Sequence, residues 1–144
     1  MMGKSASAAI DTLVAVLAVK EPREQPVAEA LGIPLRRVAV VSPVESFEGV
    51  LPEGPFEKVS FRINKETDGG VLVLKLRPNT PTLMEAQISG ARFGVDPKLI
   101  SYPDIPPEGA TSHIYTVGDK EAHLQFSTVT KRLLVAAVHF KDRR

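Results

Sequence analysis

The sequence predicts an α+β fold, with one or two N-terminal helices packed on a curved antiparallel sheet of about six or seven strands. Three observations carry this expectation. Ile10, Leu13, Val14 and Leu17 follow the i, i+3, i+4, i+7 spacing of one buried helical face. Two alternating runs, residues 56–64 and 71–77, flank Asp68-Gly69, a dipeptide suited to the positive φ of a tight hairpin turn. Near the end, residues 112–117, 121–126 and 132–140 form three strand-like runs separated by turn residues.

Taken in order, Ser5 or Ser7 caps a helix running to about Lys20, and Glu21-Pro22 ends it. A second, short helix covers residues 25–31, with Pro26 in its first turn, Gly32 just past its end and Pro34 beyond. Residues 37–42 are β-branched and stopped by Pro43, which predicts a strand. Residues 43–55 are rich in Pro, Glu and Gly and are expected to form a loop.

The hairpin follows. A two-residue turn at Asp68-Gly69 sets Ile63 opposite Leu74 and Phe61 opposite Leu76, with Val59, Phe61, Ile63, Leu72, Leu74 and Leu76 on the core face. The other face carries Lys58, Ser60, Arg62, Asn64, Val73, Lys75 and Arg77. Residues 83–89 alternate as a further strand, and Gly90 suggests a bend. Residues 94–110, with four prolines, are expected to be a long irregular connection. In the final meander Gly118-Asp119 suits a type II′ turn, which pairs His113 with Leu124, Ile114 with His123 and Tyr115 with Ala122. A turn centred on Thr130-Lys131 then places Ala122 opposite His139.

The 144 residues suit one domain, 1–144, helical over 5–31 and mostly antiparallel sheet over 37–140. A composition of 43% hydrophobic and 24% charged residues is that of an ordinary globular chain. The formal charge of +1 predicts no general attraction to nucleic acid, so any basic site is local. Without cysteine, neither disulfide frameworks nor thiolate zinc sites are available. Met1 to Lys4 and the apolar residues 8–19 superficially resemble a signal peptide, with residues 16–18 as a would-be cleavage site. Asp11 interrupts the apolar run, which is also too short to span a bilayer, so an ordinary helix is expected and the cytoplasm is favoured over the periplasm or secretion.

Four groups of residues are candidates for function. The first is the basic hairpin face of Lys58, Arg62, Lys75 and Arg77, where Arg62 is expected opposite Lys75 and Ser60 opposite Arg77. Like charges directly opposed are destabilising, so this face either meets an anion or is neutralised by Glu57, Glu66 or Glu85. The second is a pocket formed by His113, Tyr115 and His139, with His139 as base. No Asp or Glu falls in that row to orient an imidazole, which favours a core role, and two histidines alone make an incomplete zinc set. The third is residues 26–38, which resemble a helix-turn-helix phrase carrying Arg36 and Arg37. Against it, 38–41 is a Val-rich run that forms helices poorly. The fourth is Tyr102 among prolines, a candidate anchor for a partner.

No Gly-x-Ser-x-Gly elbow, Walker A loop, Gly-x-Gly-x-x-Gly or His-Glu-x-x-His motif occurs. The leading expectation is a non-catalytic protein-interaction or binding domain of adaptor, immunity or chaperone-like kind. A small enzyme or small-molecule binder with a pocket between helix and sheet is one alternative, and a DNA-binding module is the other. We expect no cofactor and no metal, a protein partner (acidic if the basic face is used), no nucleic acid and no membrane span. Edge strands leave room for a homodimer.

Overall fold

The computed structural model describes residues 4–77, 93, 97–102 and 109–142. They form two helices, α1 (Lys4–Leu17) and α2 (Glu24–Leu31), followed by eight strands. The strands are β1 (Arg36–Val41), β2 (Val44–Val50), β3 (Phe56–Asn64), β4 (Gly70–Leu76), β5 (Lys98–Tyr102), β6 (Ala110–Val117), β7 (Lys120–Ser127) and β8 (Leu133–Phe140). All pair antiparallel in one open sheet of order β1-β2-β3-β4-β8-β7-β6-β5. Two four-stranded meanders are therefore joined where β4 meets β8.

The α+β class and the N-terminal helices stand as expected, while the described residues alone form eight strands rather than six or seven. Two strands fall in stretches expected to be loop. Strand β2 occupies 44–50, where Glu45, Glu48 and Gly49 dilute the alternation. Strand β5 pairs with β6 inside the Pro-rich connection. The strand expected at 83–89, with Glu85, and the bend at Gly90 lie outside the described residues.

Helix α1 buries Ala9, Ile10, Leu13, Val16 and Leu17 against β7 and β8. Val14, expected on that face, is turned outward, and Val16 takes its place. Helix α2 ends in a Schellman motif. Gly32 adopts φ 70°, its N–H donates to Glu29 O, and Ile33 N–H donates to Ala28 O. The chain then crosses β2 so closely that a Cβ on Gly49 would lie 2.7 Å from Ile33 Cδ1 and 3.2 Å from Pro34 O. A side chain there would push the ends of Ile33 and Leu35 aside and crowd the Pro34 carbonyl.

The β3–β4 hairpin keeps the expected faces with a different register. Ile63 stands opposite Gly70 and Phe61 opposite Leu72, because the turn spans Asn64 to Gly69 rather than two residues. Asn64 Oδ1 accepts from the N–H groups of Glu66 (2.9 Å) and Thr67 (3.3 Å), and Asp68 alone takes positive φ. Asn64 thus organises a wider turn than Asp68-Gly69 alone implies. The displacement is four residues, an even number, so every side chain stays on its expected side. Val59, Phe61, Ile63, Leu72 and Leu74 are all buried. A bulge between Phe56 and Lys58 brings Phe56 onto the same face.

The β6–β7 register is as expected. Gly118 has φ 62° and the pairs His113–Leu124, Ile114–His123 and Tyr115–Ala122 all form. The core lies between this inner face and the helices. Aromatic contacts cross it, with Phe61 6.0 Å from Phe47 and 5.8 Å from Phe140 between ring centroids.

Candidate functional site

The β7–β8 turn decides what shares a site. Ser127 N–H donates to Arg132 O, Lys131 N–H donates to Ser127 O, and Lys131 takes φ 64°. A bulge between Gln125 and Phe126 adds one residue, which leaves Glu121, not Ala122, opposite His139. A slip of one residue reverses the face of every following side chain. His139 therefore lies on the outer face, while Tyr115 lies on the inner one opposite Ala122. This corrects the expected row, and His113, Tyr115 and His139 do not share a pocket.

His113 and Tyr115 do meet, with Nδ1 and the hydroxyl 3.5 Å apart, and both are buried. The Tyr115 ring stacks on Phe93 at 4.6 Å, and His113 packs edge-on to Phe126 at 5.0 Å. An apolar dimple of about 180 Å³ beside them is lined by Val14, Leu17, Ala18, Phe93 and Val117 and includes none of the three expected residues. The helix-turn-helix arrangement also fails to form, because its second helix is strand β1.

His139 instead joins a cluster that the sequence reading did not assemble. Its ring stacks on His123 at 4.0 Å, and His123 Nε2 lies 3.2 Å from Glu121 Oε1. The hydrogen bond from His123 holds the Glu121 carboxyl below its ordinary range. His139 is held below the ordinary histidine value, first by burial of its ring against neighbours and then by the nearby His123. Glu121 and His123 stand two apart on one strand, so that pair was readable, whereas the addition of His139 depends on the bulge. Among the described residues, no group of three or more His, Asp or Glu is arranged to hold a metal ion.

The outer face of the sheet is the surface on which most of the basic candidates gather. Register places Arg62 opposite Val71, Ser60 opposite Val73, and Lys58 opposite Lys75. The like-charge pair is thus Lys58–Lys75, and Arg62 is not opposite Lys75. Lys58, Arg62 and Lys75 are all exposed, and none forms an ion pair or side-chain hydrogen bond with a described residue. Glu48, opposite Ser60 on β2, is the nearest acid in register and closes no ion pair with them. Beside the cations, Val73 and Val135 are 38% and 40% exposed on β4 and β8.

Arg77 stands apart from this group. Its guanidinium turns back to the loop before β3, donating to the carbonyls of Leu51, Gly54 (3.1 Å) and Phe56 (3.4 Å), and its own N–H donates to Pro55 O. Its contacts hold a loop in place. Tyr102 pairs with Ala110 at the end of β5, so its backbone belongs to the sheet, and the Pro-rich residues 103–107 lie outside the described residues.

No helix among the described residues is long and apolar enough to cross a membrane. No protein-family model matches the chain, and no curated protein matches its sequence. Among solved structures, the chain is similar to a DUF4309 family protein, YjgB, from Bacillus subtilis subsp. subtilis str. 168. The two are 13% identical with a TM-score of 0.50, and the match covers 95% of this chain and 98% of that one. At this identity the likeness is one of fold alone.

Proposed function

We propose that this chain is a non-catalytic interaction domain that docks an acidic protein partner on the outer face of its sheet, in an adaptor, immunity or chaperone-like role. The observation that carries this reading is the group Lys58, Arg62 and Lys75, exposed and unmatched among the described residues, with Lys58 directly opposite Lys75. Opposed like charges work against sheet stability, and an acidic partner turns that repulsion into attraction. Val73 and Val135 add the apolar surface on which a polar-rimmed interface is built. Nucleic acid is less well supported, because all six phenylalanines sit in the core and leave these cations without Phe rings to stack bases.

The test is a triple reversal, Lys58→Glu, Arg62→Glu and Lys75→Glu, in the whole chain. The substitutions are on exposed positions, so circular dichroism and the melting temperature should stay near those of the wild type. Affinity purification from the native host, followed by rebinding of the purified partner, is expected to give salt-sensitive binding that the variant weakens by about tenfold or more. A partner that binds both proteins equally, with no salt dependence, overturns the reading.

A further inference from the structure

Among the described residues, strand β1 is one of the two edges of the open sheet, and all six of its residues are exposed. Its valines are unusually bare: Val38 is 43%, Val40 54% and Val41 76% exposed. A sheet edge offers main-chain donors and acceptors to an incoming strand, and strand addition draws affinity from those bonds. Here the same edge also offers apolar side chains on both faces.

The polarity of the edge selects its occupant. At its N-terminal end lie Arg36 and Arg37. Beside its C-terminal end is a hollow of about 270 Å³ lined by Val40, Ser42, Pro43, Glu45, Lys65 and Glu66. Within this group Glu45 is already engaged, by Arg37 at 3.1 Å and Lys65 at 3.2 Å. The carboxylate of Glu66 and the guanidinium of Arg36 form no ion pair with a described residue, although Glu48 stands opposite Arg36 on β2. The strand therefore carries an unmatched cation at one end and an unmatched anion near the other.

We infer that β1 is a self-pairing edge: two copies of this chain associate antiparallel along it, about a two-fold axis near Ala39. In a two-fold contact whatever residue i meets on j, j meets on i. Antiparallel copies thus bring each Arg36 toward the other's Glu66, two complementary contacts from a single operation. A parallel arrangement would bring the Arg36 ends together. An acidic strand from another protein would match the arginine end and repel Glu66. The bulge between Arg37 and Ala39 adds twist that discourages indiscriminate pairing, while Ala39 to Val41 stay extended and open.

Light scattering and sedimentation of the whole chain test this. The wild type is expected to be a dimer that dissociates on dilution. Arg36→Glu and Glu66→Arg should each weaken dimerisation by about tenfold, since two symmetric attractions become repulsions. The double variant should restore it. Val40→Pro, which removes a main-chain donor at the edge, should give monomer with an unchanged circular dichroism spectrum. A wild type that is monomeric at every concentration reached overturns the inference, as does a dimer indifferent to Val40→Pro or a charge swap that fails to restore pairing.

Discussion

Arg77 shows how a charged residue's role follows from where its chain segment ends. It lies one residue past β4, where its fork reaches two carbonyls of the loop leading into β3 and that of Phe56 at the start of the strand. Hydrogen bonds to a charged group are each worth about 1.5–3 kcal/mol. We expect Arg77→Ala to destabilise the protein by about 1–3 kcal/mol in urea denaturation, and Arg62→Ala to stay within about 0.5 kcal/mol. Lysine at 77 should recover only part of the loss, because an ammonium cannot present the same planar set of donors. His139 predicts a pH effect. Its folded pKa is lowered from the ordinary 6.5, so the unfolded chain takes up a proton that the folded one resists. Stability from this group is full above about pH 6.5 and is lost as pH falls toward the folded value. Glu121, lowered from 4.5 chiefly by its bond from His123, adds stability that is lost only at still lower pH. His139→Gln should flatten the melting temperature just below about pH 6.5 while leaving the more acidic loss in place.

At the scale of elements, legibility depended on whether a turn was closed by its backbone type alone. Gly118-Asp119 is such a turn, and the β6–β7 register was readable to the residue. The β3–β4 turn was widened by Asn64, yet the displacement was even, so the core face was still right. At β7–β8 a bulge shifted the register by one, and the His139 assignment moved to the other side of the sheet. Helix α2 was legible through Pro26, Gly32 and Pro34 because each acts locally. Strands β2 and β5 were not, because their stability comes from β3 and β6 rather than from their own alternation. The basic face was legible as a face, but which cations oppose one another was not. The same turn supplies a stability test. Lys131 holds φ 64°, a left-handed conformation that costs a non-glycine residue on the order of 1 kcal/mol. Lys131→Gly should therefore raise thermal stability slightly, by up to about 1 kcal/mol, with the β7–β8 register unchanged by amide exchange.

For the molecule as a whole, two meanders share one seam. Gly70–Leu74 of β4 pair with Ala136–Phe140 of β8, and Phe61 meets Phe140 across it. Everything on the outer face between Lys58 and His123, the basic group and the histidine pair alike, is spaced by that seam. Chains ending before residue 132 should show disordered circular dichroism and rapid proteolysis, because they lose the strand that holds both halves in one sheet.

The position of β8 also bears on how the chain is made. It is the last described strand in sequence and a central strand in space. During synthesis β1 to β4 and β5 to β7 emerge first, each group with an unfilled side where β8 belongs. Until β8 leaves the ribosome, neither β4 nor β7 has the neighbour that joins them in the finished sheet. Because β8 pairs with both, the one sheet and the outer face that spans its halves are expected to form only once β8 is available, late and cooperatively.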